Sequence, residues 1–461
     1  MARHLVSGRV SKSIVSPSLR LSLPAGSPLP VGPGPSTWWH STARPLALCV
    51  RLHSTVPLSH TKNSYTSSDI TKSPNSSSSV TTEETHNSYN RLKPVIDSFE
   101  APIDWAVAYG SGVIRQANRS PSDEPPLTDL LISTPDPYRF HQINMRQNRS
   151  HYPAYARWMG PSWVAAIQER LGAEVWYVTM VTVAGVNIKY GVISTSALKR
   201  DLEEWTTLYV AGRLHKPVLS LVSTPTLEPA LRTNLRSAAS VALLGLGPTF
   251  SELALWEQIA GLSYSGDPRM SVPGAENPEK VKNIVRGEGV LDGFRKLYGR
   301  HLAKMSLEWE NEKSYKGWRG MGEEGLVQPD SAEHYISLLS SLPANLRSKV
   351  ARHFRPTIVG SLISSEGRQS SRSSSPSLRQ GQSPISTISD VTSAENGEFW
   401  KQVVQDPRYK AVVQNELRHI VRRPALTQSL KGLFTAGLSK SVWYSWAKVR
   451  KWLKSRRKRK V

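Results

Sequence analysis

The sequence predicts an α/β (α+β) fold, in which strand and helix patterns alternate first and helix patterns dominate afterwards. The short apolar runs Trp105–Tyr109 and Leu127–Ile132 have the length and composition of buried strands. A second pair of strand patterns flanks Ala184–Gly185, which predicts a β-hairpin. Beyond Ser220 the patterns are those of successive helices. We therefore expect a sheet-containing part followed by a smaller, mainly helical part.

Composition sets broad limits on the 461-residue chain. Its formal net charge is +23 and its isoelectric point is about 10.1, which favours an anionic partner such as nucleic acid, anionic lipid or polyphosphate. The single cysteine, Cys49, excludes an intramolecular disulfide and a Cys-rich zinc site. No apolar run reaches the roughly 18 residues that a bilayer span needs, so any contact with a membrane is expected to be peripheral.

The N-terminal region contains no Asp or Glu before Asp69, while Arg, Ser and Leu are frequent. This composition is typical of a mitochondrial transit peptide, which we predict over residues 1–55 with a processing region near Arg51–Thr55. The alternative is a disordered basic arm. Residues 56–93 are rich in Ser, Thr and Asn and are predicted to form a disordered linker.

The most informative stretch is the turn Gly110-Ser111-Gly112, which follows the first apolar run. Glycines let the backbone turn sharply and approach a ligand, and exposed N–H groups beside a serine hydroxyl can bind phosphate oxygens. Asp129 then stands on the second apolar run. A phosphate-binding turn followed by an acid on a strand is how nucleotidyltransferases hold a metal-bound triphosphate. An ordinary tight turn with an acid at a sheet edge is the alternative.

Four other candidate site residues lie in the predicted catalytic domain, residues 94–220. Asp136 is the acid of a Thr-Pro-Asp-Pro turn, and Lys189 lies inside the second strand of the predicted hairpin. Arg213 and Lys216 lie in a basic junction between a glycine and a proline. Each of these cations is either a phosphate-binding group or an ordinary solvent-facing residue.

Helix patterns mark the rest of the folded region. The predicted helices are residues 158–171, 198–214, 227–246, 251–261 and 279–285. The regions after the catalytic domain are predicted as a helical domain (221–330), a helical connector (331–360), a disordered Ser-rich insertion (361–395) and a C-terminal helical region (396–461). A polar loop between two of the helices carries Asp267, a further candidate acid.

The C-terminal segment from Lys440 to Val461 is basic, rich in tryptophan and free of acids. At helical spacing its apolar residues fall on one face and its cations flank them, which is typical of an amphipathic helix at a membrane surface. The residues expected to bind the membrane are Trp443, Trp446, Trp452, Lys451 and Lys454. The alternatives are a helix docked on the protein's own core and a tail that binds nucleic acid.

Several blocks of the sequence, in order along the chain, resemble the mitochondrial CDP-diacylglycerol synthase family, also called the mitochondrial phosphatidate cytidylyltransferase or translocator assembly and maintenance family. The matching residues are Ala108–Val113, Asp129, Asn148 with His151 and Tyr152, Ile188–Ser194, Ala211–Leu214 with Lys216–Val218, Ile259–Asp267, Lys282–Val285, and Lys431 and Gly432 with Phe434–Gly437. Because the blocks keep their order, they are far more specific together than any one of them.

The resemblance implies a nucleotidyltransferase-like fold, with a mixed sheet flanked by helices and a second, mainly helical domain. It implies that CTP reacts with phosphatidic acid to give CDP-diacylglycerol and pyrophosphate, with Mg²⁺ as the cofactor. The implied setting is the matrix side of the mitochondrial inner membrane, at an early step of cardiolipin synthesis. The expected partners are CTP, phosphatidic acid and anionic inner-membrane lipids, and no nucleic acid is expected.

The same resemblance suggests roles for the candidate residues. Many nucleotidyltransferases carry a second acid two residues after the first, but here that position is Leu131. The second metal ligand is therefore expected from Asp267, Asp136 or waters. The expected catalytic residues are Asp129, Lys189 and Asp267, the expected metal ligands are Asp129, Asp267 and Asp136, and the expected nucleotide- or phosphate-binding residues are Gly110, Ser111, Gly112, Arg213 and Lys216.

Two other functions remain as alternatives. The first is a non-catalytic mitochondrial import or assembly factor that retains this fold, and the intact Gly110-Ser111 turn with Asp129 argues against it. The second is nucleotidyl transfer to RNA, which the basic charge permits. No RNA-binding motif such as an aromatic ribonucleoprotein strand is present to support that function.

Overall fold

The structure is a computed structural model, and it describes residues 78–113, 127–271, 277, 279–287, 289–310, 322–370 and 397–436. The described residues all belong to one unit of the chain. Several predictions fall outside the described residues: the transit peptide with Cys49, residues 371–395 of the Ser-rich insertion, and the tail residues Trp443, Trp446, Lys451, Trp452 and Lys454.

A five-stranded mixed sheet lies at the centre of the described residues. Its strands are β1 (Trp105–Tyr109), β2 (Thr128–Thr134), β3 (Trp176–Val183), β4 (Val186–Ser194) and β5 (Leu219–Val222). The spatial order is β3–β4–β2–β1–β5, with β2 and β4 parallel and the other neighbours antiparallel. Strands β3 and β4 form the predicted hairpin. Ala184 and Gly185 have the positive φ values that its two-residue turn requires.

Helices cover both faces of this sheet, which confirms the predicted mixed sheet flanked by helices. Alternate residues of each strand point to opposite faces. Ala106 and Leu130 belong to one apolar cluster, and Val107 and Leu131 belong to the other. The first cluster includes buried residues of helices α1 (Ser78–Asp97), α2 (Pro137–Gln147) and α3 (Ala154–Arg170).

The second apolar cluster joins the other face of the sheet to the rest of the described chain. The helices on this side are α4 (Thr195–Glu204), α5 (Glu228–Gly245), α6 (Glu252–Gly261), α7 (Pro268–Ser271), α8 (Lys280–Val285), α9 (Val290–Leu302), α10 (Ala332–Ser340), α11 (Ala344–Ser370), α12 (Gly397–Gln405) and α13 (Tyr409–Ala436). No helix in the described residues has the length and apolar character that a bilayer span requires. The domain boundary near residue 220 stays a prediction, because this cluster contains residues from both sides of it.

A small sheet inside the helical part was not predicted. It consists of β6 (Thr249–Ser251), β7 (Glu308–Trp309) and β8 (Gly325–Val327), with β8 in the middle. Strands of two or three residues are too short to leave a periodic pattern in the sequence, so only their pairing partners identify them.

Helix α1 corrects the predicted disordered linker from Ser78 onward. Leu92, Val95 and Ile96 recur at helical spacing and are buried against the sheet. Their burial offsets the entropy of ordering that the neighbouring Ser, Thr and Asn residues cannot offset.

Helix α11 corrects the start of the predicted insertion. It runs to Ser370, so residues 361–370 are helical rather than disordered. The helix is anchored earlier by the buried residues Val350, Phe354 and Ile358, which recur every four residues. The last turns therefore continue a helix that is already packed, despite their Ser-rich composition.

The predicted helix over 198–214 is correct only in its first half. Helix α4 ends at Glu204, and Trp205 adopts a left-handed conformation with φ 56°. The chain then winds around the buried carboxylate of Asp201. This carboxylate accepts hydrogen bonds from the backbone N–H groups of Thr207, Leu208, Val210 and Ala211. The bonds fix the loop that leads to Arg213.

Candidate active site

A cavity of about 270 Å³ lies between the sheet and the helices on its second face. The structure brings most of the predicted site residues to this cavity. Those that line it are Gly110, Ser111, Asp129, Lys189, Arg213, Lys216 and Asp267. Gly112 and Asp136 do not line it, and each has a different role, described below.

Three neighbouring strands place Tyr109, Asp129 and Lys189 side by side. Tyr109 pairs with Asp129 across β1 and β2, and Asp129 pairs with Lys189 across β2 and β4. Because paired residues project to the same face of a sheet, all three side chains meet at the cavity. Lys189 Nζ is 3.3 Å from Asp129 Oδ1 and 4.7 Å from the centre of the Tyr177 ring. Residues that are far apart in sequence thus form one group.

The turn Gly110–Gly112 follows β1 directly and passes over Asp129. Gly110 has φ 77°, a left-handed conformation that favours glycine, and a Cβ there would lie 3.6 Å from Asp129 Oδ2. A Cβ on Gly112 would lie 2.8 Å from Thr128 Cα. Gly112 therefore lets the turn pack on the start of β2, and it supports the phosphate-type turn without lining the cavity.

Asp136 lies away from the cavity, contrary to its prediction as a metal ligand. Six residues separate it from Asp129, and strand β2 from Asp129 to Thr134 alone spans roughly 17 Å at about 3.3 Å per residue. Its side chain accepts a hydrogen bond from Arg139 N at 3.1 Å and caps helix α2. The turn pattern of the sequence is correct, but the acid in it stabilises a helix and cannot share a metal ion with Asp129.

Asp267 reaches the cavity, but Arg269 already binds its carboxylate. Arg269 Nε donates to Oδ1 at 3.0 Å and Nη2 donates to Oδ2 at 2.6 Å. Burial by itself would raise the pKa of the Asp267 carboxyl, but the bonds from Arg269 lower it, and the net shift is downward. Asp267 is therefore an ionised and neutralised acid, so it is a weaker candidate than Asp129 for binding a cation.

Arg213 lies against aromatic rings of the cavity wall. Its Cζ is 3.9 Å from the centre of the Tyr209 ring and 5.8 Å from that of Tyr109. These faces attract the guanidinium and fix its plane, while its backbone turn is held by the loop around Asp201. Arg213 is thus a positioned positive charge beside the strand group.

Lys216 is a half-buried cation whose hydrogen bonds go to neutral oxygens. Its Nζ donates to Gly212 O at 2.7 Å and to Ser263 Oγ at 3.0 Å. Burial, with the positive charges of Arg213 and Lys280, lowers the pKa of Lys216 to about 7. An anion bound beside this amine would raise its pKa, so the site favours anionic ligands.

Several polar residues that line the same cavity were not predicted as site residues, among them Tyr264, Arg269 and Lys280. Lys216 Nζ and Lys280 Nζ lie 5.2 and 5.1 Å from the centre of the Tyr264 ring. Tyr264 and Asp267 belong to one block of the family resemblance, so that block contained a signal for Tyr264. Lys280 had no such signal, because only the packing of α8 brings it to the cavity.

The polar block around Tyr152 lies behind the sheet, away from the cavity. His141 bonds the Tyr152 hydroxyl at 2.7 Å and Gln168 Oε1 at 2.8 Å, and Asn144 donates to the Tyr190 hydroxyl at 2.9 Å. Burial lowers the pKa of His141 to about 4, so its imidazole is neutral at physiological pH. This buried network supports strand β4 from the face opposite to Lys189.

Asp129 is the cavity residue best suited to bind a divalent cation. Mg²⁺ prefers hard oxygen ligands and is usually held by one or two carboxylates together with substrate phosphates and waters. Within the described residues, no three His, Cys, Asp or Glu side chains cluster in a way that could hold a metal ion. The donor set therefore fits a cation that arrives with a phosphate, held by Asp129 beside the Gly110 turn.

Comparison with known proteins identifies the family. The family model for mitochondrial phosphatidate cytidylyltransferase matches residues 92–451. The chain belongs to the mitochondrial phosphatidate cytidylyltransferase family. The matched region includes every residue that lines the cavity, and it confirms the resemblance found in the sequence.

Individual relatives match over most of their length. The mitochondrial phosphatidate cytidylyltransferase of Xenopus laevis is 38% identical over 374 residues, which cover 80% of this chain and 96% of the relative. That of Mus musculus is 37% identical over 368 residues, covering 79% and 95%. That of Schizosaccharomyces pombe is 35% identical over 367 residues, covering 79% and 84%.

Proposed function

We propose that the chain transfers CMP from CTP to phosphatidic acid, giving CDP-diacylglycerol and pyrophosphate. Family membership gives the class of reaction. The observation that connects this reaction to the residues of the chain is the cavity where the Gly110–Ser111 turn, Asp129 and Lys189 meet. These groups are suited to a nucleoside triphosphate, which supports an enzyme over a non-catalytic import or assembly factor.

The reaction depends on placement and charge neutralisation more than on a strong base. An oxygen of the phosphatidate phosphate, already an anion at neutral pH, attacks the α-phosphorus of CTP. The bond from the α-phosphorus to the oxygen bridging to the β-phosphate breaks, and pyrophosphate leaves with the bonding electrons. The cavity must align these atoms and neutralise the phosphate charges.

The CTP phosphates would bind at the sheet wall. Gly110 and Ser111 would hold the β- and γ-phosphates through backbone N–H groups and the serine hydroxyl. Lys189 and Arg213, which line the same cavity, would balance the charge on the phosphates. The aromatic faces beside Arg213 would hold its guanidinium at the cavity wall.

Magnesium would be held by Asp129, with Asp267 as the other acid of the cavity. When bound there, Mg²⁺ supplies charge neutralisation at the triphosphate and orients it for displacement. The β1–β2 and β2–β4 pairings fix the position of Asp129 on its strand. They therefore hold its carboxylate at the sheet wall of the cavity.

The proposed setting is the matrix side of the mitochondrial inner membrane, at an early step of cardiolipin synthesis. The acid-free N-terminal region and the mitochondrial names of the relatives support a mitochondrial location. The basic, Trp-rich segment Lys440–Val461 would attach the enzyme peripherally to anionic lipids, which include its own substrate.

A transfer assay tests this function. Purified protein is incubated with Mg²⁺, phosphatidic acid and CTP that is labelled at the α-phosphate, and RNA is offered as a competing acceptor. The expected result is labelled CDP-diacylglycerol and an equal amount of pyrophosphate. Binding of CTP without a labelled lipid would favour the import or assembly factor, and label in RNA would favour the RNA alternative.

A further inference from the structure

We propose that Lys216, Lys280 and Tyr264 form a second anion subsite, which binds the phosphate of the lipid acceptor. The CTP phosphates would bind across the cavity at the Gly110–Ser111 turn and Asp129. This inference rests on the proposed function and assigns its lipid substrate to one wall of the cavity.

The subsite consists of two lysines that lie near one aromatic ring, that of Tyr264. Lys216 Nζ and Lys280 Nζ are both about 5 Å from the centre of the Tyr264 ring, at 5.2 and 5.1 Å. Lys280 is among the charges that lower the pKa of Lys216, so the two ammonium groups repel each other through this pocket. A phosphate dianion placed beside them would relieve the repulsion and gain two charge-assisted contacts.

Tight packing keeps these groups in place. Gly212 approaches Ser263 so closely that a Cβ on the glycine would lie 2.4 Å from the serine Cβ. Lys216 is bonded to both segments, at Gly212 O and Ser263 Oγ. The amine therefore occupies a defined position, whereas an ordinary surface lysine would sample many rotamers.

The two walls of the cavity differ in charge. The sheet wall carries Asp129, which suits phosphates that arrive with a divalent cation. Among the described lining residues the other acid is Asp267, and Arg269 already neutralises it. The wall formed by Lys216 and Lys280 therefore suits a phosphate that arrives without a metal ion, as a phosphomonoester does.

Apolar side chains border this subsite and distinguish a lipid phosphate from a free one. Pro217 follows Lys216 directly, Ile284 lies one helical turn after Lys280 on α8, and Val290 begins α9. All three line the cavity. A cationic pair beside apolar side chains matches a phosphate joined to a diacylglycerol, whereas a triphosphate offers no apolar group to this wall.

Steady-state kinetics with a soluble acceptor tests the assignment. The probe is dioctanoyl phosphatidic acid, and the variant is Lys280→Gln. We expect the KM for this lipid to rise about tenfold or more, because one charge-assisted contact is lost. The KM for CTP and the Kd for CTP with Mg²⁺, measured by calorimetry, should stay within about twofold of wild type, and Lys280→Arg should restore most of the lipid affinity.

A matched control lies on the same helix. Lys282 is exposed and pairs with Glu279 at 3.4 Å, so Lys282→Gln should leave both KM values near those of wild type. Melting temperatures of all variants establish that they fold. Ile284→Ser should weaken binding of dioctanoyl phosphatidic acid but not inhibition by glycerol 3-phosphate, if the apolar border contacts the lipid.

Two results of these measurements would overturn the proposal, and direct lipid binding offers a third test. A tenfold rise in the Kd for CTP with an unchanged lipid KM would assign the subsite to the triphosphate. Equal competition by inorganic phosphate, glycerol 3-phosphate and the lipid would make it a general phosphate site.

If wild type binds CTP but forms no lipid product, the proposed function fails by itself. Direct binding of the dioctanoyl lipid to wild type and Lys280→Gln then still tests the subsite, and equal affinities would contradict it.

Discussion

Asp129 is the residue on which the proposed chemistry depends most. It lies between Tyr109 and Lys189 in the strand register, and its carboxylate faces the Gly110 turn. Its side chain is 30% exposed, so its ion pair with Lys189 is not a major source of stability. Asp129 can therefore bind a ligand with little change in the stability of the fold.

We predict that Asp129→Asn lowers turnover by several orders of magnitude, because an amide binds Mg²⁺ far less well than a carboxylate. The free energy of unfolding should stay within about 1 kcal/mol of wild type, as measured by urea denaturation. The matched control is Asp136→Asn, which should retain turnover because asparagine caps a helix as well as aspartate does. Near-normal turnover of Asp129→Asn would contradict the prediction that Asp129 binds Mg²⁺.

Lys216 gives the cavity a pH dependence with a defined sign. Its pKa is about 7 in the free protein, and a bound phosphate would raise it. Above pH 7 the lysine must therefore take up a proton when the anion binds, and binding weakens as the pH rises. We predict that the affinity of wild type for dioctanoyl phosphatidic acid falls between pH 7 and 9 relative to Lys216→Arg, whose charge does not titrate there.

The arginine variant serves as the internal reference for this measurement, because the lipid phosphate itself titrates near pH 7 in both proteins. The ratio of the two affinities is therefore the quantity to follow, by calorimetry over that pH range. Parallel pH profiles of the two proteins would show that Lys216 does not contact the bound phosphate.

At the scale of elements, helix α13 links the cavity to the far side of the sheet. Val421 and Ala425 line the cavity, while later residues of the helix attach to the connection between α3 and β3. Gln428 Oε1 accepts from Ala173 N, and Gln428 Nε2 donates to Val175 O, both at 3.2 Å. One helix therefore helps to form the site and is anchored outside it.

Lys431 provides the second attachment of α13. Its Nζ is buried and donates to Gln168 O at 3.2 Å and to Leu171 O at 2.9 Å, at the C-terminal end of α3. Lysine near the last carbonyls of a helix also complements the helix dipole. Gly432 and Gly437 predict a turn-rich joint over residues 427–437, but the chain is helical as far as Ala436, so this prediction is wrong for residues 427–436.

We predict that Lys431→Met lowers the free energy of unfolding by about 1–3 kcal/mol, because the two carbonyl groups lose their buried donor. Leu430→Ala, on the adjacent exposed position of the same helix, should change it by no more than about 0.5 kcal/mol. Urea denaturation of both variants measures the difference. Equal stability of the two variants would mean that the bonds of Lys431 add no net stability to the attachment of α13.

At the scale of the whole molecule, the enzyme must reach a lipid substrate although no helix in its described part spans a bilayer. In the proposed peripheral attachment, the net charge of +23 and the segment Lys440–Val461 would provide the attraction to anionic lipid. Each basic residue near such a surface contributes about 1 kcal/mol, so we propose that this segment attaches the enzyme peripherally.

We predict that truncation after Ser439 abolishes salt-sensitive binding to liposomes that contain cardiolipin or phosphatidic acid. Binding of CTP should survive, because every residue that lines the cavity precedes Ser439. Co-sedimentation at low and high salt measures the first effect, and calorimetry measures the second. Unchanged co-sedimentation of the truncated protein would show that another surface binds the membrane.

The sequence by itself determined the local elements and the family. The strands at Trp105–Tyr109 and after Leu127 follow from short apolar runs, the hairpin follows from Ala184–Gly185, and helix α6 begins where Ser251 caps it. These features depend on side-chain periodicity and turn chemistry within a few residues, so they can be predicted from the sequence without knowledge of tertiary contacts. The ordered blocks that carry the family resemblance are equally a property of the chain alone.

Only the tertiary structure decided which candidates form the site. Asp129 and Asp136 are both candidate metal ligands in the sequence, but the structure places one at the cavity and the other at a helix cap. Asp201 lies in the predicted helix over 198–214, yet its carboxylate is buried and binds the loop that follows, and helix α4 ends at Glu204. Lys280 reaches the cavity only through the packing of α8. Register, burial and helix packing arise from contacts between residues tens to hundreds of positions apart, and no local pattern records them.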